Sequence, residues 1–199
     1  MSTIKRCFIL DRSGSMYNIV DDTIGGFNSF IESQKTNGGT MSLYLFDNEF
    51  TTVYEDMQIT NVVPLTHETF VPRGSTALLD AIGNVIKKLV VSETPKDTLV
   101  KIIIMTDGYE NSSKKYTSEY IKNSIEKYTK IGWDFMYLGA NQDSILEASK
   151  LGIQCENTLD FDSETVQDVM RTVSITMTQQ LSGNNTSLRQ CSDAYSANL

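Results

Sequence analysis

The chain of 199 residues contains one histidine and three cysteines. A Ser–His–Asp hydrolase would need that histidine, His67 in "PLTHETFVPRG", together with a G-x-S-x-G elbow, and no such elbow occurs. His67 therefore reads as polar loop surface. Cys7, Cys155 and Cys191 are odd in number and lack metal-site spacing, which excludes a disulfide framework and points to reduced thiols in the cytoplasm. No segment approaches the ~18 consecutive apolar residues of a membrane-spanning helix. The apolar part of "MSTIKRCFILD" is too short for a signal peptide. Walker-type phosphate loops, G-x-G-x-x-G turns, internal repeats and low-complexity linkers are absent as well. Basic charge is scarce: 17 Lys and Arg against 25 Asp and Glu leave a net charge of −8, which argues against nucleic acid or an anionic membrane as partner.

What remains is an ordinary globular composition, 40% apolar and 21% charged. A chain of this size buries roughly 70% of its unfolded surface without staples. Residues 1–182 read as one domain that includes a C-terminal helix, and 183–199 as a polar tail, either frayed or a capping segment. Four short apolar runs, "IKRCFILD", "SLYLFDN", "KIIIMTD" and "WDFMYLGA", suit strands covered on both faces, as in a parallel sheet. "FTTVYEDMQI" follows the second run after a very short link, so it is expected as an antiparallel edge strand. Helical periodicity lies between the runs: Met16 to Ile31, Leu78 to Leu89, Ile121 to Tyr128, a short helix at Ile145 and Leu146, and Val166 to Leu181. Alternating strands and helices predict a doubly wound three-layer α/β/α sandwich.

Against that frame one stretch stands out. In "FILDRSGSMYN", Asp11 ends an apolar run, and Ser13 and Ser15 follow at spacings of two and four. Asp107 in "IIIMTDGYEN" ends another run, and Thr76 stands just before the helix in "VPRGSTALLDAIG". In open α/β sheets, ligands bind beyond the carboxyl ends of the strands. Two carboxylates and three hydroxyls, without thiolate or imidazole, form a hard-cation ligand set suited to Mg²⁺, with Mn²⁺ or Ca²⁺ as substitutes. The two aspartates cancel the ion's charge, and the hydroxyls add coordination without adding charge. An ion held this way keeps affinity for one more anionic ligand. Each residue taken alone is an ordinary cap or turn residue; the conjunction of three loops on one rim is what carries the reading.

These residues resemble the metal-ion-dependent adhesion site of von Willebrand factor A domains, D-x-S-x-S, then T, then D. The resemblance covers about residues 3–160 and is to the small stand-alone type of bacteria and phages, which "YLGANQDSILEASKLGI" also resembles. It implies a mostly parallel six-stranded Rossmannoid sheet of order 3-2-1-4-5-6. It further implies direct ligation of the ion by Ser13, Ser15 and Thr76, with Asp11 and Asp107 acting largely through water. The implied function is a Mg²⁺-dependent adhesion or adaptor module without enzymatic activity, whose partner protein presents an Asp or Glu to the ion. Residues 161–199 match no part of the family with an assigned role.

Arg12, Tyr17, Arg73, Tyr109, Glu110 and Asn141 are the expected partner-binding rim; the arginines suit an acidic partner segment and the tyrosines suit interface anchors. Asp143 reads as a helix cap. Two other functions compete: an assembly component of a phage or bacterial complex with a stabilising metal, and a metal-dependent hydrolase. A phosphatase with Asp11 as nucleophile would want an acid two residues on, and position 13 is serine.

Overall fold

In the computed structural model, which describes residues 3–92, 94–95, 97–140 and 143–197, the first strand lies inside the sheet rather than at its edge. β1 (Thr3–Asp11) pairs in parallel with β2 (Thr40–Phe46) on one side and with β4 (Thr98–Thr106) on the other. β5 (Asp134–Ala140) and the four-residue β6 (Thr158–Phe161) extend the sheet in parallel beyond β4. β3 (Phe50–Gln58) closes the other side antiparallel to β2. The order is β3-β2-β1-β4-β5-β6, as the family resemblance implied, with β3 as the antiparallel edge expected from its short link to β2.

Each central strand sends alternate side chains to two apolar cores. Phe8, Leu10, Ile103, Met105, Met136 and Leu138 face α1 (Val20–Gln34) and α5 (Val166–Leu181). Cys7, Ile9, Ile102, Ile104, Phe135 and Tyr137 face α2 (Leu78–Val91), α3 (Ser118–Thr129) and α4 (Ser144–Lys150). With both faces covered, period-two alternation reads in sequence as a continuous apolar run. Burial raises the Cys7 thiol to about 12, so this cysteine is a packing residue rather than a nucleophile. Among the described residues, no helix is long and apolar enough to cross a membrane.

The layer of α1 and α5 is tied to the sheet by a buried cation. Arg6 is fully buried, and its guanidinium donates to Gln34 Oε1 from Nε (3.2 Å) and Nη2 (3.0 Å), and to the Gly38 carbonyl (2.8 Å). Gln34 Nε2 in turn donates to Ser174 Oγ (2.7 Å) on α5. Burial lowers the Arg6 pKa to about 10, which still leaves it charged at neutral pH. The two helices approach closely at Gly26, where a Cβ would stand 3.1 Å from Met170.

The C-terminal stretch is more ordered than a frayed tail. α6 (Leu188–Ser196) starts with a complete capping box between Ser187 and Gln190 and buries Leu188 and Cys191 beside α5. The S-x-x-Q spacing is a sequence-level signal of that start. In α4 the inward residues are Ser144 and Ala148, whereas Ile145 and Leu146, whose apolar character marked the helix, are exposed. Asp143 does cap it, accepting from the Leu146 amide at 3.0 Å.

Replacing Arg6 by alanine leaves the half-buried Gly38 carbonyl without its donor, leaves Gln34 Oε1 with only the Asn37 amide (3.2 Å), and empties the space of a fully buried side chain; an unpaired buried oxygen alone costs about 1–3 kcal/mol. The variant is therefore expected to lose about 3 kcal/mol or more in urea unfolding, with the loss shared by α1 and α5 in hydrogen exchange.

Candidate functional site

Because β1 and β4 are parallel neighbours, their carboxyl ends open side by side. Asp11 is the last residue of β1, and Asp107 follows Thr106, the last of β4. Asp11 is completely buried. Its Oδ1 accepts from the Ser13 amide (2.6 Å) and its Oδ2 from Thr106 Oγ1 (2.6 Å). One carboxylate thus folds the loop after β1 back on itself and fastens it to β4. The Ser13 and Ser15 hydroxyls lie 3.1 Å apart, and Ser15 Oγ donates to Asp107 Oδ1 at 2.5 Å.

Thr76 reaches the same point from the third loop. It is buried; its amide donates to Asn111 Oδ1 (2.9 Å), and its carbonyl accepts from the Asn111 and Ser112 amides (3.0 and 3.2 Å). A Cβ placed on Gly108 would stand 3.0 Å from Thr76 Oγ1 and 3.5 Å from Ser15 Oγ. Glycine at 108 is what lets these hydroxyls close in. Thr76 does not cap α2. The Leu79 amide donates instead to Glu110 Oε2 (2.9 Å) and the Asp80 amide to Ser113 Oγ (3.0 Å). Asp80 returns the favour by accepting the amides of Lys114, Lys115 and Tyr116. The helix start and the loop after β4 are stapled together, which fixes Thr76 against Asp107.

The donor set fits a hard dication. It holds two carboxylates and three hydroxyls, without thiolate or imidazole; among the described residues no group of three or more His, Cys, Asp or Glu is placed to hold a metal ion, so the hydroxyls would have to supply much of the coordination. Burial raises the Asp11 pKa to about 6, with Asp107 adding to the rise and the bonds from Thr106 and Ser13 opposing it. Burial raises Asp107 too. Two carboxylates held partly out of water, side by side, are groups whose charged forms a cation would stabilise.

The rim differs from its expectation. Arg12 is buried rather than presented: its Nε donates to Asp47 Oδ2 (2.9 Å) and its Nη2 to Thr51 Oγ1 (2.9 Å). Arg73 Nε meets the same Asp47 oxygen (2.9 Å), and its Nη2 pairs with Glu49. Both arginines pair with the chain's own acids, Arg12 in a buried position and Arg73 on the exposed surface. Asp47, at the end of β2 in "FDN", is the missed organiser; it occupies the strand-end position of Asp11 and Asp107, and that position was its signal. Gly74 (φ +67°) completes this corner, since a Cβ there would meet Asn48 Oδ1 at 2.1 Å. Glu110 is likewise occupied, accepting from Ser112 N, Ser113 N, Ser113 Oγ and Leu79 N. Tyr17 (74% exposed) and Tyr109 (56%) do stand out into solvent. Asn141 lies outside the described residues. His67 meets Asp21 at 3.1 Å on the surface, in a hollow it shares with Tyr17.

No protein-family model and no curated protein matches the sequence. Solved structures do match. The von Willebrand factor domain of the type V pili tip protein Mfa5 from Porphyromonas gingivalis aligns with a TM-score of 0.67 at 11% identity, covering 90% of this chain and 96% of that one. Manganese-loaded Plasmodium vivax TRAP aligns at 0.64 and 17% identity, covering 84% and 71%. The mussel byssus proximal thread matrix protein 1 with a zinc-occupied metal-ion-dependent adhesion site aligns at 0.62 and 14%, covering 87% of this chain. The chain spans about half, 47%, of that mussel protein. At these identities the likeness concerns architecture, and it agrees with the strand order and antiparallel edge described above: the chain has the von Willebrand factor A fold.

Proposed function

We propose that this chain is a divalent-metal-dependent protein-binding module, an adaptor rather than an enzyme. The observation that carries the reading is the convergence of Asp11, Ser13, Ser15 and Asp107 in one hydrogen-bonded cluster, with the Thr76 hydroxyl brought to it by Gly108. Ser13, Ser15 and Thr76 would hold the ion directly, and Asp11 and Asp107 through water. Mg²⁺ is the proposed ion because it prefers oxygen donors and keeps several waters; Mn²⁺ or Ca²⁺ could replace it. With two carboxylates balancing its charge, the ion would keep affinity for one more anionic ligand, and an Asp or Glu of a partner protein could replace one of its waters. Tyr17 and Tyr109, both exposed and each two residues from a residue of the cluster, Ser15 and Asp107, would anchor the partner. Three free thiols favour a reducing compartment, so we place the protein in the cytoplasm, that of the host if it is phage-encoded.

Metal addition tests the site. At a hundredfold excess over Kd, Mg²⁺ is expected to add about 2.7 kcal/mol, a rise of roughly 5–10 °C in Tm for a domain of this size, reversed by EDTA. In Asp11→Asn the amide can still accept from Ser13 N and donate to Thr106. That variant should melt like the metal-free wild type and show no rise with Mg²⁺. Gly108→Ala should keep the fold and weaken Mg²⁺ affinity about tenfold in calorimetry, because the new methyl crowds Thr76 Oγ1. Affinity capture from source lysate, with Mg²⁺, with EDTA and with Asp11→Asn as bait, tests the function. A protein retained only by wild type with Mg²⁺ supports the adaptor reading. Equal retention in all three arms would assign the metal a purely structural role.

A further inference from the structure

A second surface lies far from the metal rim. α2 and α3 run side by side on the outer layer, and between them is a groove of about 380 Å³ lined by Ile86, Val90, Val91, Tyr120 and Tyr128. Val91 is 75% exposed, and Val90 and Tyr120 are about half exposed. Single apolar residues on a surface need no explanation. Here they are contiguous and concave, and β-branched valines at 90 and 91 add nothing to helix propensity.

The charges on the groove are as telling as its floor. Lys87 stands on the α2 bank and Lys127 on the α3 bank, and among the described residues no carboxylate lines the groove. Lys5, Lys35, Lys88, Lys101 and Lys150 pair with acids of the chain, while Lys114, Lys115, Lys122 and Lys130, like the two groove lysines, have no ion pair among the described residues; what sets Lys87 and Lys127 apart is their place beside an apolar floor. Among the described residues, Lys87 has no hydrogen bond or ion pair, and Lys127 has only the face of Tyr128, 5.0 Å from its ring centre. On a protein of net charge −8, an apolar trough with an unpaired cation on each bank is complementary to a segment that is apolar along one stripe and acidic on both sides of it.

We infer that the α2–α3 groove docks an acidic amphipathic helix of a partner protein. Leucine-like residues at helical spacing would fill the floor between Val91 and Tyr120, and Asp or Glu on the flanks would meet Lys87 and Lys127. From Tyr120 to Tyr128 the α3 bank is about 12 Å long, enough for two turns of a bound helix. Val91 lies about 20 Å down the axis of α2 from the helix start beside Thr76, so a partner here leaves the rim uncovered. The chain then joins two different partners, one through the ion and one through the groove, and the groove does not depend on the metal reading.

The test uses the full chain and a fluorescein-labelled helical peptide of about 14 residues with leucines on one face and glutamates flanking them. Fluorescence polarisation should report saturable binding that is unchanged by EDTA and by Asp11→Asn. NMR shifts of the labelled protein should cluster at 86–91 and 120–128. The Lys87→Glu/Lys127→Glu double variant, whose exposed substitutions leave the core intact, should bind at least about tenfold more weakly and should instead take up the lysine-flanked version of the peptide. Absence of binding, equal binding of both peptides by wild type, or no effect of the double variant would overturn the proposal. So would concentration-dependent dimerisation in sedimentation velocity that is abolished by Val91→Lys, since the groove would then belong to a second copy of the chain.

Discussion

The site hangs on one buried carboxylate. Asp11 has no solvent, and both of its oxygens are engaged within the chain, one by the Ser13 amide and the other by the Thr106 hydroxyl. The first bond turns the chain so that Ser13 and Ser15 face back over the sheet end; the second pins that turn to the neighbouring strand. β1 has β2 on one side and β4 on the other because it sits where the strand order reverses, with connections leaving in opposite directions and a crevice between them. Remove the reversal and Asp11 and Asp107 would end on distant strands.

The rim around this carboxylate is built by satisfying charge internally. Arg12, Arg73, Asp47 and Glu49 form one network, and Glu110 and Asp80 exchange backbone hydrogen bonds between α2 and the loop after β4. Groups that look in sequence like recognition residues are thus spent on holding three loops still. A rigid frame of this kind costs little reorganisation when a ligand arrives. The two tyrosines left exposed, Tyr17 and Tyr109, are those the frame does not use.

The same economy separates the two surfaces. The cluster of Asp11, Ser13, Ser15, Thr76 and Asp107 offers only oxygen donors, the chemistry of the proposed cation site. The α2–α3 groove offers hydrophobic area and two cations of its own. Both are carried by α2, whose first turn borders Thr76 and whose last turn carries Val90 and Val91. A single rigid helix therefore spans from one to the other.

Much of this was legible in the residues. The apolar runs gave the strands because a strand buried on both faces needs no polar alternation, and the period of Leu78, Ala81, Ile82, Val85, Ile86 and Leu89 gave α2. The oxygen donors stood out in the sequence because D-x-S-x-S, Thr and Asp-Gly, each ordinary alone, fall together on three loops of one expected rim. Other features were not. Thr106 looks like the last residue of a strand, and Asp47 like a hairpin residue, until the fold sets each beside Asp11 or Arg12. Arg12 and Glu110 look exposed because charge predicts exposure only when no partner is at hand. α6 escaped periodicity because it is short and polar, with Leu188 buried by α5 rather than by its own pattern. What the sequence alone determined was local: which segments become strands or helices, and which oxygens end them. Which charges are satisfied and which are left for a partner was decided by the tertiary structure, because an ion pair forms between residues that are distant in the chain and its geometry exists only after the loops have met.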